Sequence, residues 1–198
     1  MASGGVAPGT SAPAARRSGM PDAPPTLRQL AHAALDPPRR EALVALCSRA
    51  YEEDFAPYFA LLDGAVHLLA CEGPAPVAHL AWIERRVWTD DGLTLRAAYV
   101  EAVATEPSWQ RRGLATHLLA EVAARADAFD IALLSPAEPA WYARRGWVAW
   151  RGPLRHRRDG VLVDDPDECV MYRRLPRTPP ALDDRAALCV DWRPLEVW

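Results

Sequence analysis

The stretch from Val77 to Ala126 constrains the fold more tightly than any other part of the chain. Two long apolar-rich runs, residues 77–88 and 93–105, flank Asp90-Asp91-Gly92, a turn sequence suited to a hairpin. Residues 113–126 follow, in which Leu114, Leu118 and Val122 recur at i, i+4 spacing and mark one face of an amphipathic helix. Upstream, residues 65–71 read as a strand, and Glu72-Gly73-Pro74 turns it into the 77–88 run. The pattern is an antiparallel meander of three strands feeding a helix. Beyond it come a short strand over 130–134, a short helix over 139–145 stopped by Gly146, and a last strand over 169–174. This order predicts an α/β (α+β) domain with a mostly antiparallel central sheet flanked by helices.

The ends behave differently. Residues 1–26 are Gly, Ala, Ser and Pro with almost no large apolar side chain, so they cannot offset the entropy of ordering and are expected to be a disordered extension. The folded domain is expected over 27–198, with a helix over 38–51 in which Leu43, Leu46 and Cys47 share a face. Residues 151–166 are rich in charge and poor in periodicity and read as a long loop. The tail from Arg177 carries Leu188, Val190, Trp192, Leu195, Val197 and Trp198, too apolar a set to be free in water.

Composition excludes several function classes. A net charge of -3 and a pI near 6.0 argue against a nucleic-acid partner and fit a cationic one. All 23 basic residues are Arg, with neither Lys nor Asn in the chain, the mark of a GC-rich coding sequence; a Walker-type phosphate loop and a Schiff-base enzyme both lack their lysine. The four cysteines form no C-x-x-C pair, which suits a reduced, cytoplasmic protein. No run reaches the roughly 18 apolar residues of a membrane span, so no membrane association is expected. His67 and His79 sit in strand patterns and His117 on the helix, without paired metal spacing; they read as ordinary structural histidines, and no metal is expected.

The segment Glu106-Pro107-Ser108-Trp109-Gln110-Arg111-Arg112-Gly113-Leu114-Ala115 joins a strand to the amphipathic helix. Amides at a helix start form an anion site, and a glycine there permits close approach by a pyrophosphate; the plainer alternative is a turn with two solvated arginines. Further on stands Trp141-Tyr142-Ala143-Arg144-Arg145-Gly146-Trp147. The Gln-x-x-Gly-x-Ala pattern and this aromatic-Tyr-x-x-x-Gly-aromatic run resemble, in order and separation, the pyrophosphate loop and a second signature of the GNAT acetyltransferase superfamily. The resemblance implies acetyl-CoA as cofactor, bound in a splayed sheet by Val103, Ala104 and Thr105 and by Gln110, Arg111, Arg112, Gly113, Leu114 and Ala115, with Tyr142 as the acid for the departing thiolate.

Four further stretches resemble the aminoglycoside 2′-N-acetyltransferases: Glu53-Asp54-Phe55, Tyr99 to Ala104, Arg145-Gly146-Trp147 with Trp150 to Pro153, and the terminal Asp191-Trp192-Arg193-Pro194-Leu195-Glu196-Val197-Trp198. That resemblance implies a cationic amino sugar substrate surrounded by Asp54, Glu101, Ala102, Ser135, Asp167, Glu196 and the terminal carboxylate of Trp198, and a role in antibiotic resistance. Several carboxylates converging on a polycation make electrostatic sense. In the implied reaction Glu101 assists deprotonation of the amine, the Val103 N–H polarises the thioester, and the terminal carboxylate of Trp198 comes to the reacting amine beside Glu101; alternation places Glu101 on the face of Tyr99, Val103 and Thr105, where it could equally be a solvated strand residue. Asp164-Asp165-Pro166 reads as a solvated loop. Phe55-Ala56-Pro57-Tyr58-Phe59 lacks the further acidic residues of the family, which brings a small amino sugar such as kasugamycin into view. The rival functions are acetylation of a protein or peptide amine and a non-catalytic acyl-CoA sensor. A homodimer is compatible with the sequence.

Overall fold

The computed structural model describes residues 24–194 and 197–198. The expected disordered extension falls almost wholly outside them, as do Leu195 and Glu196. The chain enters through β1 (Thr26–Ala31), not anticipated as a strand, and passes to α1 (Pro37–Tyr51) and the short α2 (Ala56–Phe59). The meander follows as β2 (Val66–Glu72), β3 (Ala75–Thr89) and β4 (Thr94–Thr105), then α3 (Leu114–Arg125), β5 (Ile131–Leu134), α4 (Pro139–Ala143) and β6 (Val148–Ala149). The last third contributes β7 (Leu154–Arg158), β8 (Val161–Asp164), β9 (Met171–Arg174) and β10 (Leu188–Asp191).

Helix α1 starts where Asp36 accepts a hydrogen bond from the Arg39 amide at 2.9 Å, with prolines in its first turn, and ends at Glu52 in the left-handed region. The ten strands form one mixed sheet, antiparallel except where β4 meets β5 and where β10 meets β7. The sheet is covered on both faces, which explains why β2 is apolar at consecutive positions. Leu68 packs with Leu80, Leu118 and Val122 under α3, and Leu69 packs with Leu43, Leu46 and Phe59 under α1 and α2.

Strand β3 organises the sheet because it changes partners along one edge. Its first half, to Trp82, pairs with β2, and its end, Val87 to Thr89, pairs with β10. Arg85 lies in the interval, 7% exposed, and its guanidinium donates to the carbonyls of Asp191 (2.9 Å) and Val197. Those bonds fasten the tail, and Leu188, Val190 and Trp198 are buried beside Tyr99, Ile131 and Leu133, while Trp192 stays on the surface.

One expectation is overturned. Residues 151–166 are not a loop but include the β7–β8 hairpin, whose turn carries Asp159 and Gly160 at φ 52° and 81°. The arginines that obscure its pattern are paired on the surface, Arg155 with Asp164 at 2.7 Å and Arg157 with Asp191 at 2.7 Å, and backbone pairing to β10 holds the strand.

Beneath α1 and α2 a row of three histidines interrupts the apolar core. His32 Nδ1 lies 2.9 Å from His67 Nε2, and His67 Nδ1 lies 2.9 Å from His79 Nε2, with the Phe59 ring packed across them. His67 and His79 have no exposed surface, and burial holds them neutral, with pKa values pushed down to about 3 and about 4 from 6.5. Burial also lowers His32, with Arg40 adding to the effect and Asp63 opposing it.

Because the unfolded chain takes up protons below pH 6.5 that these sites refuse, their contribution vanishes above neutrality and stability falls as pH drops towards 4. Each fully buried histidine should then cost about 2 kcal/mol at pH 5. Urea unfolding at pH 7 and 5 should show this loss, reduced by about 2 kcal/mol in His67→Gln. An equal pH dependence in the two proteins would contradict the assignment.

Candidate active site

The site originates where β4 loses a partner. Strands β4 and β5 are in parallel register only over Ala97 to Tyr99 against Ile131 to Leu133, yet β4 continues to Thr105. On its other side β4 stays with β3 through a bulge: His79 faces Ala104 and Ala81 faces Glu101, so Ala102 and Val103 together stand opposite Leu80. Ala102 takes φ 53°, rare for a residue with a Cβ. A cleft of about 1170 Å³ opens between the separated strands.

The bulge corrects the expected alternation. Tyr99 belongs to the core beside the tail, whereas Val103 packs with Val100 and the α3-side core, so Val103 is not on the face of Tyr99. Glu101 is held by Arg193, whose guanidinium reaches its Oε1 at 2.5 Å, with both side chains largely shielded from water.

From Thr105 the backbone makes a short 3-10 turn, Pro107–Trp109, and curves through Arg111 (φ 62°) and Gly113 (φ 81°) into α3. Gly113 is at the helix N-cap in a left-handed conformation that any side chain would strain. Gln110, Arg111, Gly113, Leu114 and Ala115 line the cleft, and the free amides of the first turn of α3 give this end the capacity to bind an anion. Arg112 is not part of the lining; its guanidinium lies 4.5 Å above the Trp109 ring and donates to the Ser108 carbonyl at 3.1 Å.

Tyr142 on α4 lines the opposite wall, packed edge-on to Trp141 and Trp147. Burial pushes its pKa up to about 12, so the phenol keeps its proton at neutral pH. The neighbouring Arg145, unassigned from sequence, also lines the cleft and is fixed by Thr116 Oγ1 at 2.7 Å and the Trp141 carbonyl at 2.6 Å.

The amine end departs from expectation in detail. Ala102, Ser135, Glu101 and Trp198 line the cleft, but Asp54 does not; its exposed carboxylate accepts from the Ala56 amide at 3.0 Å in the turn before α2. Asp167 is exposed on the turn before β9 and outside the lining as well. Their near neighbours Glu53, Asp165 and Glu168 are part of the lining. Asp165 is held on two sides, by the His156 ring at 2.9 Å and by the Trp198 indole N–H at 2.7 Å. Trp198 itself is 3% exposed, so the end of the chain forms part of the wall. The expected substrate residue Glu196 lies outside the described residues. Among the described residues no cluster of His, Cys, Asp or Glu could hold a metal ion, and no helix is long and apolar enough to cross a membrane. Cys47, Cys71, Cys169 and Cys189 are all free.

The opened edge of β4, the start of α3 and the protonated phenol of Tyr142 thus line one cleft. Comparison with known proteins gives the family. The model of the acetyltransferase (GNAT) domain matches residues 39–149. An aminoglycoside 2′-N-acetyltransferase of Mycolicibacterium fortuitum is 33% identical over 171 residues, covering 83% of this chain and 87% of the relative. Among solved structures, the GNAT family N-acetyltransferase YhbS of Escherichia coli in complex with CoA superposes with a TM-score of 0.61 at 19% identity, covering 88% of this chain and 93% of that one. The ribosomal-protein-S18-alanine N-acetyltransferase of Escherichia coli gives 0.53 at 17%, covering 80% and 99%. These structural likenesses speak for the fold, and the sequence matches for descent: the chain belongs to the GNAT family of acetyl-CoA-dependent N-acetyltransferases.

Proposed function

We propose that this enzyme acetylates the 2′-amino group of an aminoglycoside-type amino sugar and thereby confers resistance to it. The observation that carries this reading is that Glu101, Asp165 and Glu168 all line the cleft, with Arg193 paired to Glu101 and the buried Trp198 bonded to Asp165. A cationic acceptor needs such a wall for steering and orientation. The relative from Mycolicibacterium fortuitum supports the same substrate class.

Acetyl-CoA, when bound, supplies an acyl carbon activated as a thioester. In the proposed reaction the neutral amine attacks that carbon as the C–S bond breaks. The Val103 N–H donates to the carbonyl oxygen as negative charge develops on it. Glu101 takes the proton the amine must lose, and Trp198 lines the cleft with its indole on Asp165. Tyr142 gives its phenolic proton to the departing sulfur, and the burial that keeps it protonated supports that role. Val103, Ala104 and Thr105 hold the pantetheine arm, and Gln110 to Ala115 the pyrophosphate. Arg145 is an added candidate for that end.

A smaller amino sugar such as kasugamycin is the second reading, favoured by the α2 end of the cleft. There Phe55 and Tyr58 line the space, with Glu53 beside them and Asp54 outside the lining. Such a wall suits a compact acceptor better than the distal rings of a polycation.

Tyr142→Phe keeps the ring packing and removes the proton, so turnover should fall about 10²-fold while acetyl-CoA affinity stays near that of the wild type. Stopped-flow measurement of the chemical step at wild-type rates would remove the acid from the scheme.

Substrate choice is tested by thiol release across a panel of aminoglycosides, kasugamycin and peptide amines, with the acetylated nitrogen located by NMR. Acetylation at a sugar 2-amino position is expected. Peptide acetylation without sugar acetylation would contradict the reading.

A further inference from the structure

The Ala102–Val103 peptide occupies an unusual position. Ala102 is left-handed, a conformation unfavourable for a residue with a Cβ that its surroundings must hold. The enforcing contact comes from the histidine row: His79 Nδ1 lies 2.9 Å from the Ala102 carbonyl oxygen. A carbonyl can only accept, so Nδ1 must carry the proton and Nε2 must be the lone pair. His67 therefore donates from its own Nδ1 to His79 Nε2, and His32 donates from Nδ1 to His67 Nε2. All three rings adopt one tautomer, and their N–H dipoles point along a single line that ends on the Ala102 oxygen. Cys47 Sγ, 3.6 Å from the same Nδ1, does not alter this order, since burial keeps it a neutral thiol and a weak acceptor.

Two consequences follow from the planarity of the peptide bond. The Ala102 C=O and the Val103 N–H belong to one rigid group and point in opposite directions, so a bond that fixes the oxygen also aims the N–H. Donation to the oxygen further polarises the amide, and a chain of bonds strengthens each member, which makes the Val103 N–H a better donor. The following peptide is tied as well, because the Tyr51 hydroxyl donates to the Val103 carbonyl at 3.2 Å.

We infer that His79, backed by His67 and His32, is a positioning residue for acetyl transfer: it clamps the Ala102 carbonyl from behind the sheet and thereby orients and strengthens the Val103 N–H that stabilises the thioester oxygen. The inference rests on the proposed role of that N–H. It assigns a function to three buried histidines that touch neither acetyl group nor amine.

Two substitutions separate this role from packing. An asparagine amide nitrogen takes the place of Nδ1, so His79→Asn can keep the bond to Ala102, whereas the amide of His79→Gln extends to the level of Nε2 and loses it. In His79→Gln kcat should fall about 10-fold or more with the KM for acetyl-CoA changed less than about threefold, in line with weakening one oxyanion donor. His79→Asn should stay within about threefold of the wild type. Equal losses in both variants, or none in either, would overturn the proposal.

Nitrogen-15 NMR of the wild-type protein gives a reading that survives any failure of the variants to fold. His32, His67 and His79 should all appear as the Nδ1–H tautomer, and an Nε2–H form of His79 would overturn the proposal by itself. The Val103 amide should respond more to acetyl-CoA than to CoA. If it does not, the role of that N–H fails, and the proposal with it. Absence of acetylation of any amino sugar, with these spectra as expected, would instead fail the substrate reading alone.

Discussion

The structure depends on the loss of one pairing in the middle of its sheet. Strand β4 runs beside β5 for three residues and then goes on without it, although a sheet buried on both faces would be expected to continue its ladder. An interior strand edge without a partner strand is costly unless something else bonds it, and a ligand with amide and carbonyl groups of its own can do so. The bulge at Ala102 and the turn through Gly113 continue the same opening: one tilts the free edge, and the other brings a helix N-terminus to its far end. Cleft and fold are thus one feature.

The rest of the molecule keeps the opening in one shape. Strand β3 carries the load on the intact side of β4 and recruits β2 and β10 in succession, with Arg85 bridging the interval between them to the end of the chain. This places Trp198 against Asp165, and the neighbouring Arg193 against Glu101. The cleft at the opened sheet edge is thereby joined to a wall that includes Arg193 and Trp198.

Much of this was legible in the sequence where the signal was local. The meander, the 113–126 helix and the loop before it followed from periodicity and turn chemistry, because those depend on neighbours a few residues apart. What was missed depends on distant partners. Residues 154–164 hid a hairpin because Arg155, Arg157 and Arg158 mask the alternation; the Asp159-Gly160 turn was the available signal, and β10, thirty residues on, is what makes β7 a strand. Asp54 and Asp167 lie outside the cleft lining while Glu53, Asp165 and Glu168 belong to it, since a spacing cannot tell which carboxylate of an acidic run turns inward. The histidine row was invisible for a similar reason. His67 pairs with Ala81 and His79 with Leu69, so the two rings meet diagonally across strands, a relation that exists only once the register is set.

The central claim is that the freed edge of β4 and the start of α3 together hold acetyl-CoA. Amide hydrogen exchange tests it most directly, because exchange reports each backbone N–H separately. Adding acetyl-CoA should slow exchange at Val103, at Thr105 and in the first turn of α3 after Gly113, while β1 and the β7–β8 hairpin keep their free-protein rates. Saturation with acetyl-CoA that leaves those β4 and α3 amides unchanged would contradict the account.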